Sequence, residues 1–87
     1  MSTNVTNTAR IGVLNRARIR ETTVFAEGQG YERPLATGRK LRVILSGEAD
    51  AEIISFTSNY AIEWKARFDS AVPLAVFEAA IMAAIGE

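Results

Sequence analysis

The sequence predicts an α+β domain, a small antiparallel β-sheet of three to four strands with one C-terminal α-helix packed on it (ββββα). Three observations carry the prediction. Before residue 69, apolar residues recur with period two in several runs, the spacing of strands with one buried face. After Asp69-Ser70 the spacing changes to that of a helix. The chain has 87 residues, enough for one hydrophobic core, and turn-forming clusters separate the runs at hairpin distances.

Residues 1–9 are rich in Ser, Thr and Asn and almost devoid of apolar side chains, so they read as a polar arm ahead of a single domain over residues 10–87. In residues 11–25, Ile11, Val13, Ala17, Ile19 and Phe25 fall on one side of an extended chain, and Arg16, Arg18, Arg20 and Thr22 on the other. This pattern predicts the first strand. Gly28, Gly30 and Pro34 supply turn geometry, so residues 28–34 read as a loop. Residues 39–45 alternate again, with Leu41, Val43 and Leu45 inward and Lys40 and Arg42 outward, before a polar turn at residues 46–50.

A third strand is expected across residues 52–57, where Ile53, Ile54 and Phe56 do not alternate cleanly. The fourth run is the most regular. Tyr60, Ile62, Trp64, Ala66 and Phe68 share one face, and Glu63, Lys65 and Arg67 the other, with a short hairpin expected at Ser58-Asn59.

For the helix, Pro73 suits a first turn, Asp69 or Ser70 is placed to cap the free amides, and Gly86 marks the stop. Leu74, Phe77, Ile81 and Ile85 form one stripe, expected to pack on the sheet. Val76, Ala80 and Ala83 form a second, and Glu78 is the only charged residue between Pro73 and Gly86. A small-residue surface of this kind lets another helix approach closely, most simply the same helix of a two-fold partner.

The chemistry open to the chain is narrow. It has no Cys and no His, which removes disulfides, thiolate nucleophiles, the commonest general base and the usual zinc ligands. Glu48, Asp50 and Glu52 alternate along a turn but lack the glycine and terminal glutamate of an EF-hand loop, so they read as solvated. Gly28-x-Gly30 has neither a helix start nor a Gly-Lys-Ser/Thr ending behind it. No catalytic site, metal or cofactor is expected. No stretch approaches the ~20 apolar residues of a membrane span, and the polar start lacks the order of a signal peptide, so a soluble cytoplasmic protein is expected.

The formal net charge is zero, but residues 1–45 hold eight basic and three acidic residues against two and seven in residues 46–87. The two halves therefore attract each other within the fold or across an oligomer, or else the basic half serves an outside partner. Arg16, Arg18 and Arg20 would stand in a row ~6.5 to 7 Å apart on a strand, and Lys40 and Arg42 on a neighbouring strand would widen the row into a partner-binding face. The aromatics Trp64 and Phe68 are expected to face the core, which weakens a single-strand nucleic-acid platform.

These readings converge on a small non-catalytic protein-binding domain of inhibitor or adaptor type. It would be a homodimer through Val76, Ala80 and Ala83 and would take one protein partner. A self-assembling structural subunit is the alternative, and a sequence-nonspecific nucleic-acid binder using Arg16, Arg18 and Arg20 a further one. The spare composition with a polar arm resembles that of small phage-encoded proteins, which implies inhibition of a host system, in the host cytoplasm, or a place in a particle.

Overall fold

Residues 5–86 are described by the computed structural model, in the order α1 (Asn7–Arg16), β1 (Arg20–Phe25), β2 (Gly28–Pro34), β3 (Lys40–Ser46), β4 (Asp50–Phe56), β5 (Ile62–Phe68) and α2 (Leu74–Ile85). The class is α+β, and among the described residues there are five strands, two α-helices and a single 3-10 turn (Ala36–Gly38), where the sequence predicts three to four strands and one helix. Each strand pairs antiparallel with the next in sequence, giving the order β1-β2-β3-β4-β5. Both helices cover one face of this meander, and their buried residues join one core with Leu41, Val43, Leu45, Ala51, Ile53 and Phe68.

The largest correction concerns residues 11–25. Val13, Leu14 and Ala17 are buried at helical rather than strand spacing, and Leu14, which alternation would turn to solvent, is fully buried. The polar arm is shortened by the same helix, which begins at Asn7. Val5 ahead of it donates its backbone N–H to Ser70 O at 3.0 Å, and residues 1–4 lie outside the described residues.

The helix ends in a Schellman motif. Arg18 N–H bonds Asn15 O at 3.1 Å and Ile19 N–H bonds Leu14 O at 2.9 Å, while Arg18 takes the left-handed conformation usually filled by glycine, with φ 60°. The buried Ile19 packs back as the motif's apolar anchor. Strand β1 therefore starts only at Arg20.

Residues 28–34 form a central part of the sheet instead of a loop. Gly30 sits there because the Phe25 ring of the neighbouring strand lies across it, and a Cβ at Gly30 would fall 2.2 Å from Phe25 Cε2. Phe25, expected inward, lies on the face away from the helices, where it packs with Ile44, Ile54 and Phe56 in a second small cluster.

In β3, Leu41, Val43 and Leu45 are buried as expected. In β5 the alternation holds from Trp64 to Phe68 and breaks before it. A bulge between the pairs Ser55↔Trp64 and Phe56↔Ile62 turns Ile62 to the open face, where it is 55% exposed. Tyr60, with φ 63° in the hairpin turn, is 69% exposed, so neither belongs to the inward face the alternation assigned them. Glu63, assigned outward, accepts from the buried Ser55 Oγ at 2.9 Å and from Arg39 Nη2 at 2.8 Å. Those two bonds hold its carboxyl below the usual range.

α2 packs as expected through Phe77, Ile81 and Ile85, with Leu74 half-buried against the same core and the Phe68 ring set edge-on to Phe77 at 5.3 Å. Gly86 closes it in the left-handed conformation, φ 74°. Pro73 is the capping residue rather than part of the first turn, and no side chain caps the helix. Asp69 instead accepts Ala71 N–H at 2.8 Å within the preceding turn.

One buried charge ties the two helices to the sheet. Arg10 is 0% exposed, and its guanidinium donates to Asn7 Oδ1 (3.0 Å), Ala49 O and Asp69 O (2.6 Å) while stacking over Phe77. Burial lowers its pKa, and Asp50 and Asp69 act in the opposite direction. Asn7 Nδ2 in turn donates to Ser46 O, Gly47 O and Asp50 O. This cluster satisfies carbonyls of the β3–β4 turn and of the chain leaving β5, which would otherwise be stranded under α1.

Candidate interaction surfaces

The residues assigned to a basic strand face are dispersed by the fold. Arg16 is the last residue of α1 and pairs with Glu78 of α2 at 3.2 Å. Arg18 occupies the left-handed position after the helix, and Arg20 opens β1. The row was read from a strand that does not extend to Arg16, so no regular 6.5 to 7 Å ladder exists. Lys40 and Arg42 lie on the open face of β3, and both hold Glu32, at 3.2 and 2.6 Å. Burial pushes the Glu32 carboxyl up, but the bonds from Arg42 and Lys40 outweigh it and hold the group below its ordinary value.

Arg42 is further occupied by aromatics. Its guanidinium lies 4.4 Å from the Phe25 ring centre and 4.8 Å from that of Phe56. Arg42 is thus engaged on the open face by one salt bridge and two rings, and it lies over part of the apolar cluster there. Lys40 similarly sits over the Tyr60 ring at 5.2 Å. Among the described residues no group of three or more carboxylates converges on a point where a metal ion could be held, and Glu52 is bonded to Arg67 at 3.0 Å.

α2 presents the other surface. Of the assigned residues, Val76 (49% exposed) and Ala83 are turned to solvent, whereas Ala80 is half-buried against the core. The fully outward side also includes Ala75, Ala79 and Met82, the last 53% exposed. The stripe of Val76, Ala80 and Ala83 does not include Ala75, Ala79 and Met82, which helical spacing places beyond Ala83 around the axis, on the side toward Glu78. The outward arc of α2 thus carries no charged or hydrogen-bonding side chain, and Glu78 is displaced to the flank beside α1, where it meets Arg16.

At the lower end of the helices Val13, Ala17, Met82 and Ile85 line a shallow apolar cleft of about 430 Å³ rimmed by Arg16, Arg33 and Glu78. Arg33 Nη1 reaches across to Ala17 O at 2.7 Å, capping α1 from β2. No helix is long and apolar enough to cross a membrane among the described residues. Comparison with protein-family models, with curated proteins and with solved structures finds no match to this chain.

Proposed function

We propose that this chain is a non-catalytic protein-binding domain that pairs with a second copy through the outward side of α2. The observation that carries the reading is the composition of that side: Ala75, Val76, Ala79, Met82 and Ala83 stand in solvent with no polar side chain among them. A helix covered by water on one side ordinarily places charges there. Depletion of charge together with exposed Met marks the centre of an interface rather than its rim.

The small side chains favour close approach of a second helix, and a two-fold arrangement brings the same strip of both copies together. A helix of 12 residues is about 18 Å long, which falls short of the ~800 Å² per partner of a standard interface. The outward residues of α1, including Thr8, Ala9, Asn15 and Arg16, supply the remainder of the contact in this reading. The roles that such a dimer fits are those of a small adaptor or inhibitor and of a particle subunit.

The test is the solution mass of the wild type and of the double variant Ala79→Glu, Met82→Glu. Both positions are exposed, so the variant retains its fold; at about 1 M salt, where charge attraction is screened, the wild type is expected to run as a dimer and the variant as a monomer. A wild-type monomer, or a variant with unchanged mass, overturns the reading.

A further inference from the structure

The register sorts the charges by end. Three connections share one end of the sheet, β1 to β2, β3 to β4 and β5 to α2, and each carries a carboxylate and no basic residue. The exposed Glu27, Glu48, Asp50 and Asp69 lie there, and among the described residues none of them forms an ion pair. The opposite end gathers Arg16, Arg18, Arg20, Arg33, Arg39, Lys40, Arg42 and Lys65, with Glu21, Glu32, Glu63 and the flanking Glu78 to answer them.

Helix dipoles explain part of this polarity. Asn7 at the start of α1 donates its N–H to Glu48 O, and α2 follows Asp69, so both helices start at the acidic end. They finish together at the cleft beside Arg33. Two parallel helices contribute roughly one positive charge at the first end and one negative at the second. After that correction, and after counting the buried Arg10 near the acidic end, the basic end keeps about three unmatched charges and the acidic end about two.

These charges cannot neutralise each other within one molecule. A strand of seven residues spans about 20 Å, more than twice the ~8 Å over which charges interact at physiological ionic strength. We infer that the two ends are a complementary pair of docking surfaces, the basic end of one copy receiving the acidic end of the next. Such a head-to-tail contact is heterologous and leaves a free end on each side, so it builds a ring or an open row. The presence of both signs, at opposite ends of one chain, is what favours a second copy over an external polyanion, which would need the basic end alone. This contact is separate from the α2 pairing and does not depend on it.

Sedimentation velocity on three proteins at about 0.01 M and about 1 M salt, where the screening length is ~30 and ~3 Å, tests the inference. The first is a Val76→Gln, Ala79→Gln protein, in which α2 pairing is removed at two exposed positions without a change of charge at either end. The second adds Arg18→Glu and Arg20→Glu, and the third adds Glu27→Lys and Glu48→Lys; all four side chains are exposed and unpaired among the described residues. The first is expected to rise at least about twofold in mean mass at low salt. The second and third should stay monomeric alone, and their equimolar mixture should regain the larger mass.

A first protein whose mass ignores salt overturns the inference, as does a mixture that stays monomeric. Failure of the α2 reading is seen separately, in the unmutated chain at high salt. If the first protein remains monomeric yet binds a short single-stranded oligonucleotide with a steep salt dependence, the basic end serves a polyanion and the self-docking is refuted.

Discussion

Replacing Arg10 by Met should unfold a large share of this domain's stability, and the size follows from what the guanidinium touches. Met fills the aliphatic volume but leaves Ala49 O, Asp69 O and Asn7 Oδ1 without their donor in a site with no solvent exposure. Hydrogen bonds to a charged group contribute about 1.5 to 3 kcal/mol each, and the stacking on Phe77 adds about 1. Against this stand the desolvation of the guanidinium and its buried Nε, which has no partner, so the net loss is about 3 kcal/mol.

A domain of this length is held by roughly 4 to 13 kcal/mol, and a melting point moves about 4 to 8 °C per kcal/mol. The expected fall in Tm is therefore about 12 to 24 °C, measured by urea and thermal unfolding followed through Trp64 fluorescence and circular dichroism. Arg10→Lys keeps the charge but cannot serve both carbonyls, and should lose about 1 to 2 kcal/mol. If Arg10→Met costs less than about 1 kcal/mol, those carbonyls reach water without the arginine and the account of the α1 anchor is wrong.

Three further substitutions and a titration probe the corrected elements. Arg18→Gly should stabilise by about 0.5 to 1 kcal/mol in urea melts, because glycine adopts the left-handed position after α1 without strain; a loss of similar size would restore the strand reading. Gly30→Ala should cost about 2 kcal/mol by the same assay, since the new Cβ meets the Phe25 ring and sits 2.9 Å from Thr23 O. Trp64→Ala should cost only about 1 to 2 kcal/mol, below the 3 to 5 of a fully buried aromatic, because Trp64 on the edge strand is half-buried. The carboxyls of Glu32 and Glu63 are held below their ordinary value of 4.5, so their contribution is present above that pH and is lost as the pH falls through the lower folded values. Glu32→Gln, Glu63→Gln should accordingly show a shallower loss of stability than wild type on acidification below pH 4.5, seen as a smaller change in urea midpoint.

Some of this fold was settled by local sequence. The alternation at Leu41, Val43 and Leu45 and from Trp64 to Phe68 survives in the structure because every second residue of each run faces the same core, while the other face is exposed on β5 and, on β3, carries Lys40 and Arg42 around the buried Ile44. The stripe of Phe77, Ile81 and Ile85 and the stop at Gly86 belong to the same class, since helical spacing and a left-handed glycine are local properties. The absence of Cys and His is likewise complete in the sequence.

Other features depended on partners distant in sequence. Arg10 completes the helical spacing of Val13, Leu14 and Ala17, but a charged residue is read as outward unless its acceptors are known, and those lie at Ala49 and Asp69. Once Arg10 is counted as polar, the alternating Ile11 and Val13 outvote the helix. Strand β2 was hidden because Gly30 is required by the Phe25 ring of β1 and Gly28 by the close approach of the β3 backbone at Leu45, cross-strand contacts that composition reads as a turn. The bulge that exposes Ile62 and holds Glu63 against Ser55 is set by pairing with β4.

The charges show the division most sharply. Their unequal distribution between the two halves of the chain is plain in the sequence, yet which of them meet was decided by the register of five strands. That register spends Lys40 and Arg42 on Glu32, Arg39 on Glu63 and Arg16 on Glu78, and sends Glu27, Glu48, Asp50 and Asp69 to one end of the sheet. The physical reason is that periodicity depends on one face of one element, whereas an ion pair or an electrostatic end depends on the relative placement of elements, which only their packing fixes.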